Sequence, residues 1–102
     1  MEALFHQGQP SRLKVLYSEV ITVGTTSAGL NPPVNGDTLA IFIDCQDAPV
    51  RWMASGEPTS SSGHKLADGD TALLQIDPTG VRFIRDALAS TDASIVVDYL
   101  GV

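Results

Sequence analysis

Val50-Arg51-Trp52-Met53-Ala54-Ser55-Gly56-Glu57-Pro58-Thr59-Ser60-Ser61-Ser62-Gly63-His64-Lys65-Leu66-Ala67-Asp68-Gly69-Asp70 is the stretch on which the fold turns. It reads as a short strand, a turn, a polar loop, an apolar touch-down at Leu66, and a tight acidic turn that launches another strand. Val50, Trp52 and Ala54 share one face of the first strand, against Arg51, Met53 and Ser55. Strict alternation of this kind marks β structure rather than helix. Trp52 is the chain's single tryptophan, and a core position at the centre of the domain is expected for it. Asp68-Gly69 is a strong turn signal, so Asp68 and Asp70 read as turn acids.

The same punctuation recurs in both directions. Upstream, Thr38 to Cys45 places Leu39, Ile41, Ile43 and Cys45 on one face, with Thr38, Ala40, Phe42 and Asp44 on the other. A run so apolar on both sides implies a central or doubly covered strand. Asp47-Ala48-Pro49 then turns the chain. Arg12 to Val23 is the first long strand, with a bulge or bend expected at Ser18-Glu19. Between them, Gly24 to Gly36 is rich in Gly, Asn, Ser and Pro and reads as a loop of a length that is either functional or flexible. Residues 1–11 read as an N-terminal arm whose large apolar groups are Leu4 and Phe5. Downstream, Thr71 to Ile76 is a strand that ends at Asp77-Pro78-Thr79-Gly80. Val81 to Leu88 fits either a helical face or a strand, and the recurrence of turn signals favours a strand at Val81–Arg85. Ala93 to Leu100 closes the chain, with Ile95, Val97 and Tyr99 alternating against Val96, Asp98 and Leu100.

Six or seven short strands in 102 residues predict an all-β, single-domain antiparallel β-sandwich over residues 12–102, Ig-like or jelly-roll-like. Such a chain buries one small core and leaves little room for a deep active-site cavity. Twelve acids against six bases give a formal charge of −6. The bases are scattered, which argues against nucleic acid as a partner. No apolar run is long enough to span a bilayer, so no membrane is expected. The first residues lack the charged start and apolar centre of a signal peptide, so synthesis in the cytoplasm is expected. The lone Cys45 ends an apolar strand and reads as a buried, inert thiol.

No motif carries catalytic chemistry, and binding rather than catalysis is expected. His64, Asp68 and Asp70 lack the oxygen count and spacing of a calcium loop, and the chain has too few His and Cys for zinc. Ser60, Ser61 and Ser62 lie near His64, but no nucleophile elbow surrounds them. No glycine loop for phosphate is present. Neither a metal nor a cofactor is expected.

Several of these segments resemble those of small virion structural proteins of tailed bacteriophages. The likeness runs through Val50-Arg51-Trp52, Gly56-x-Pro58-Thr59, Gly63-His64-x-Leu66, Gly69-Asp70, Ile84-Arg85 and the closing Ala93-Ser94-Ile95-Val96-Val97-Asp98-Tyr99. It covers roughly residues 38–100, and departs at Ala54-Ser55-Gly56, where an Asp usually precedes the Gly. The resemblance implies a virion protein, above all a capsid decoration or cement protein. Such a protein binds the phage major capsid protein and stabilises its lattice, as a symmetric homo-oligomer, a trimer by that analogy. A tail or baseplate accessory is the alternative role within the virion. The Gly56-x-Pro58-Thr59 turn is also similar to one in Ig-like domains of bacterial carbohydrate-active enzymes, which implies a carbohydrate-binding module instead. For protein contact, the arm and the long loop are the expected elements, through Leu4, Phe5, Leu30, Pro32 and Pro33.

Overall fold

A computed structural model describes residues 13–33 and 37–102. The arm, with Leu4 and Phe5, lies outside the described residues. The described residues form eight strands: β1 (Lys14–Val23), β2 (Ala28–Gly29), β3 (Ala40–Gln46), β4 (Val50–Met53), β5 (His64–Leu66), β6 (Thr71–Leu74), β7 (Arg82–Arg85) and β8 (Ala93–Gly101). A 3-10 turn at Pro78–Gly80 is the one helical element among the described residues, so none of them forms a helix long and apolar enough to cross a membrane.

Two sheets form, in the orders β1-β8-β3-β6 and β2-β7-β4-β5, with every pair antiparallel. The pairs β1–β8, β2–β7, β3–β6 and β4–β5 nest inside one another. The chain is thus one long hairpin with its apex in the loop between β4 and β5. The pairs β3–β8 and β4–β7 roll that hairpin into two layers. Every connection except β4–β5 passes from one sheet to the other, and the result is a jelly roll.

The described residues form eight strands where six or seven are read from sequence, and two of the eight, β2 and β5, fall in segments read as loop or touch-down. β2 is a two-residue segment inside the long loop, pairing with Phe83 and Arg82. Arg82 holds it in place, donating from Nε to Ser27 Oγ (3.1 Å) and from Nη2 to the Ser27 carbonyl (3.0 Å). The touch-down at Leu66 is likewise a true strand, β5, which pairs with β4 through Val50, Arg51 and Trp52.

The core lies between the sheets. Ile41, Ile43 and Cys45 of β3, Ala93, Ile95, Val97 and Tyr99 of β8, Phe83 of β7, Val50 of β4 and Val23 of β1 are all fully buried. Each large apolar side chain among them contributes about 1.5–3 kcal/mol by leaving water. β3 is central in its sheet, as its composition implied, but it is not covered on both sides: Phe42 and Asp44 on its outer face are only half-buried. Trp52 is not the centre of the core. It packs half-buried at the rim, with the His64 ring 4.6 Å away on the neighbouring strand. The centre belongs to Tyr99 and Phe83, the largest fully buried side chains.

The bulge in β1 falls at Leu16, between Val15 and Tyr17, and not at Ser18-Glu19. The extra residue packs against Gly101 of β8. A Cβ at Gly101 would stand 2.6 Å from Leu16 Cδ1 and 2.5 Å from the Asp37 carbonyl oxygen. Ser18 and Glu19 stay in regular register because both faces are satisfied there. Ser18 Oγ donates to Asp98 on the outside (2.6 Å), and Glu19 accepts from Tyr99 on the inside.

The turn acids take main-chain amides. Asp68 Oδ1 accepts from Asp47 N (2.9 Å), Asp70 Oδ2 accepts from Ala67 N (2.8 Å), and Gly69 has φ +92°. In the second sheet, buried Asp86 accepts from Leu88 N (3.0 Å) and from Arg51 Nε (2.7 Å). The Leu88 amide, and then the Arg51 guanidinium, hold its carboxyl below the usual carboxylate range.

Candidate functional site, a proline ridge at one end of the sandwich

The loop after β2 crosses the end of the sandwich where β1 and β8 meet. Its position is fixed by a small polar lock. Asn31 N donates to Glu19 Oε2 (3.0 Å) and to Tyr99 Oη (3.1 Å), and Asn31 Nδ2 donates to Glu19 Oε1 (3.0 Å). Tyr99 Oη donates in turn to the Glu19 carboxylate. Burial, and then the hydrogen bond to Glu19, push the Tyr99 hydroxyl well above its ordinary value. The Tyr17 ring stacks on Tyr99 at a centroid distance of 5.9 Å.

Pro32 and Pro33 follow directly and form a ridge between two concavities. The larger, of about 580 Å³, is walled on its far side by Leu39, Ile76, Pro78 and Thr79. The smaller, of about 430 Å³, is lined by Leu16, Tyr17 and Asn31. Leu39 is 54% exposed and Tyr17 49%, so each groove offers a large accessible apolar group. Asp77 sets the far wall by capping the 3-10 turn, accepting from Thr79 N (3.0 Å) and Thr79 Oγ1 (2.8 Å). Those bonds lower its pKa, the backbone amide most. Thr38 lines the larger groove, and its buried hydroxyl has no hydrogen-bond partner among the described residues. An apolar concavity with a few polar groups on its wall is the usual form of a recognition surface.

The expected contact residues therefore part company. Pro32 and Pro33 form the ridge. Leu30 is half-buried and packs against the core, so it anchors the loop from below. Leu4 and Phe5 lie outside the described residues. Leu39, Ile76, Pro78 and Tyr17 belong to the site and were not assigned to it from sequence. The alternation groups Leu39 on one face with Ile41, but β3 begins only at Ala40. Leu39 precedes the ladder, and its amide reaches the Leu100 carbonyl at 2.8 Å.

Other groups singled out in the sequence do not converge. Thr59 and Ser62 close a tight turn on each other, with Thr59 Oγ1 and Ser62 Oγ 2.7 Å apart, while His64 lies on Trp52. Among the described residues, no three of His, Cys, Asp and Glu are grouped to hold a metal. Cys45 is fully buried, with Sγ donating to the Ala48 carbonyl (3.2 Å). Burial, and then Asp68, Asp70 and Asp44, push its thiol up to about 11.

No protein family matches this chain, and neither a curated protein nor a solved structure is significantly similar to it.

Proposed function

We propose that this chain is a structural docking protein, most specifically a capsid decoration protein of a tailed bacteriophage that binds and stabilises the coat-protein lattice. The observation that carries the reading is the Pro32–Pro33 ridge, held between two apolar grooves by the lock on Asn31. Proline has few conformations to lose, and the lock fixes the backbone before any partner arrives. Binding at such a ridge costs little ordering entropy. Leu39 and Ile76 supply the apolar centre of the contact over the buried Pro78, and Gln75 and Asp77 lie in its polar wall. The phage resemblance of the β4–β5 stretch and of β8 names the partner class. The jelly roll is an architecture of viral capsid and lectin domains alike, and supports the reading by analogy only. A decoration protein that bridges neighbouring coat subunits stabilises the shell by mass action, because it binds the assembled state and not the dissociated one.

The test is co-sedimentation with assembled coat-protein shells. The wild-type chain is expected to pellet with shells, and Leu39→Asp to stay in the supernatant with its fold intact by circular dichroism. Equal pelleting of both proteins, or of neither, would count against the reading.

A second reading has one observation in its favour. Tyr17 is a half-exposed aromatic beside Asn31 at the smaller groove, a combination able to stack on and hydrogen-bond a sugar. Glycan-array binding that is lost in Tyr17→Ala, with no shell binding, would move the assignment to a carbohydrate-binding module.

A further inference from the structure

Four strands lie at sheet edges. β2, β5 and β6 are two, three and four residues long, whereas β1 has ten. Brevity is one of the ways β proteins keep edges from pairing with other chains, and a long open edge is a template for another strand. β1 pairs with β8 on one side only. Among the described residues, no backbone hydrogen bond reaches its other side. Alternate amides and carbonyls along it face outward, beside Val20, which is 68% exposed.

We propose that this edge pairs with the β1 edge of a second copy of the chain, antiparallel about a twofold axis at Val20, joining two four-stranded sheets into one of eight. Three features of the strand select a second copy. First, the bulge at Leu16 and the end of the strand at Val23 leave a regular segment, Tyr17–Val23, whose midpoint is Val20. Second, the register that uses the whole segment sets Val20 against Val20, Ser18 against Thr22, Tyr17 against Val23 and Glu19 against Ile21. Each pair joins residues of the same face, as the pleat requires. Third, the charges permit it. Each chain carries −6, yet the one charged residue of the segment is Glu19. Its carboxylate is engaged by Asn31 and Tyr99, and it falls opposite an isoleucine. No like charges meet across the axis. Such a contact is isologous and closes at two copies, not at the three suggested by the phage analogy. A single short ladder sits at the low end of stable interface sizes, so the dimer dissociates on dilution. The inference is independent of shell docking, because it is read on the isolated chain.

Sedimentation equilibrium of the full chain over a concentration series tests it. A reversible monomer–dimer equilibrium is expected. Val20→Lys, which opposes two cations at the axis, should weaken it by roughly tenfold or more. Leu88→Lys, at a position 85% exposed beyond β7, should leave it unchanged. Mild oxidation of Val20→Cys should give a covalent dimer, and of Thr25→Cys should not. A monomer at every concentration, a trimer, or a dimer indifferent to Val20→Lys would each overturn the proposal. So would a monomer whose binding to coat-protein shells is abolished by Val20→Lys, since a foreign strand would then occupy the edge.

Discussion

The two edges of the first sheet are built from the same kind of strand and meet solvent differently. β6 has four residues and is bracketed by Asp70 and Asp77, both engaged in turns. Its ladder is too short to template another strand. β1 has ten residues and two charges, Lys14 beyond its bulge and Glu19 held by the Asn31–Tyr99 lock. The sheet is closed for business on one side and open on the other. An edge in a jelly roll is thus left open by strand length and by where the bulge falls, rather than by apolar content alone.

Substitutions test this contrast, and the largest effect should be common to both edges. Ile43 is fully buried on β3, the strand that carries β6. Ile43→Ala should cost about 2–5 kcal/mol in urea unfolding, and both edges should loosen together. Gly101→Ala should act on the β1 side. The added methyl meets the Asp37 carbonyl and Leu16 inside contact distance, for a loss of about 1–3 kcal/mol. Amide exchange should rise first in the N-terminal half of β1, with β6 unaffected. Tyr99→Phe removes the donor to Glu19 and the acceptor for Asn31 N. A loss of about 1–3 kcal/mol follows from the groups left unpaired, together with weaker ridge-dependent binding in co-sedimentation.

The pH dependence is smaller and of known sign. Asp86 and Asp77 have lowered folded pKa values, so the stability they supply is present above the usual carboxylate range and is lost as pH falls from that range through their lowered values. Melting temperature should decline in acid, and Asp86→Asn should flatten that decline. Cys45 runs the other way. Its folded pKa is raised from 9.0 to about 11, so its contribution is complete below 9.0 and is lost as pH rises between those two values. A thiol reagent at neutral pH should label Cys45 only when the chain is unfolded by urea.

Much of the layered fold is legible in the sequence. The alternation in β3 and β8 groups Ile41, Ile43 and Cys45, and Ile95, Val97 and Tyr99, each on one face, and the structure shows that these are the faces the core buries. Turn chemistry around Asp68-Gly69-Asp70 and Asp77-Pro78 places the breaks. The rolled pairing is not legible, because β1–β8 and β2–β7 join segments from opposite ends of the chain and no local pattern encodes a partner so distant. β2 escaped because two residues carry no periodicity. The bulge was misplaced because its cause, the bare Gly101 facing Leu16, lies on another strand. Trp52 was drawn to the centre by its size, but its strand ends one residue later, at the rim. The site divides in the same way. Pro32 and Pro33 stand out in the loop composition, while Leu39, Ile76 and Pro78 are brought to them only by the roll.

Residue-resolved amide exchange at low and high protein concentration bears most directly on the open edge. The outward amides of Tyr17–Val23 should gain protection as concentration rises, those of β6 should not change, and Val20→Lys should abolish the gain. Protection of the outward β1 amides that is independent of concentration, or a gain confined to β6, would contradict it.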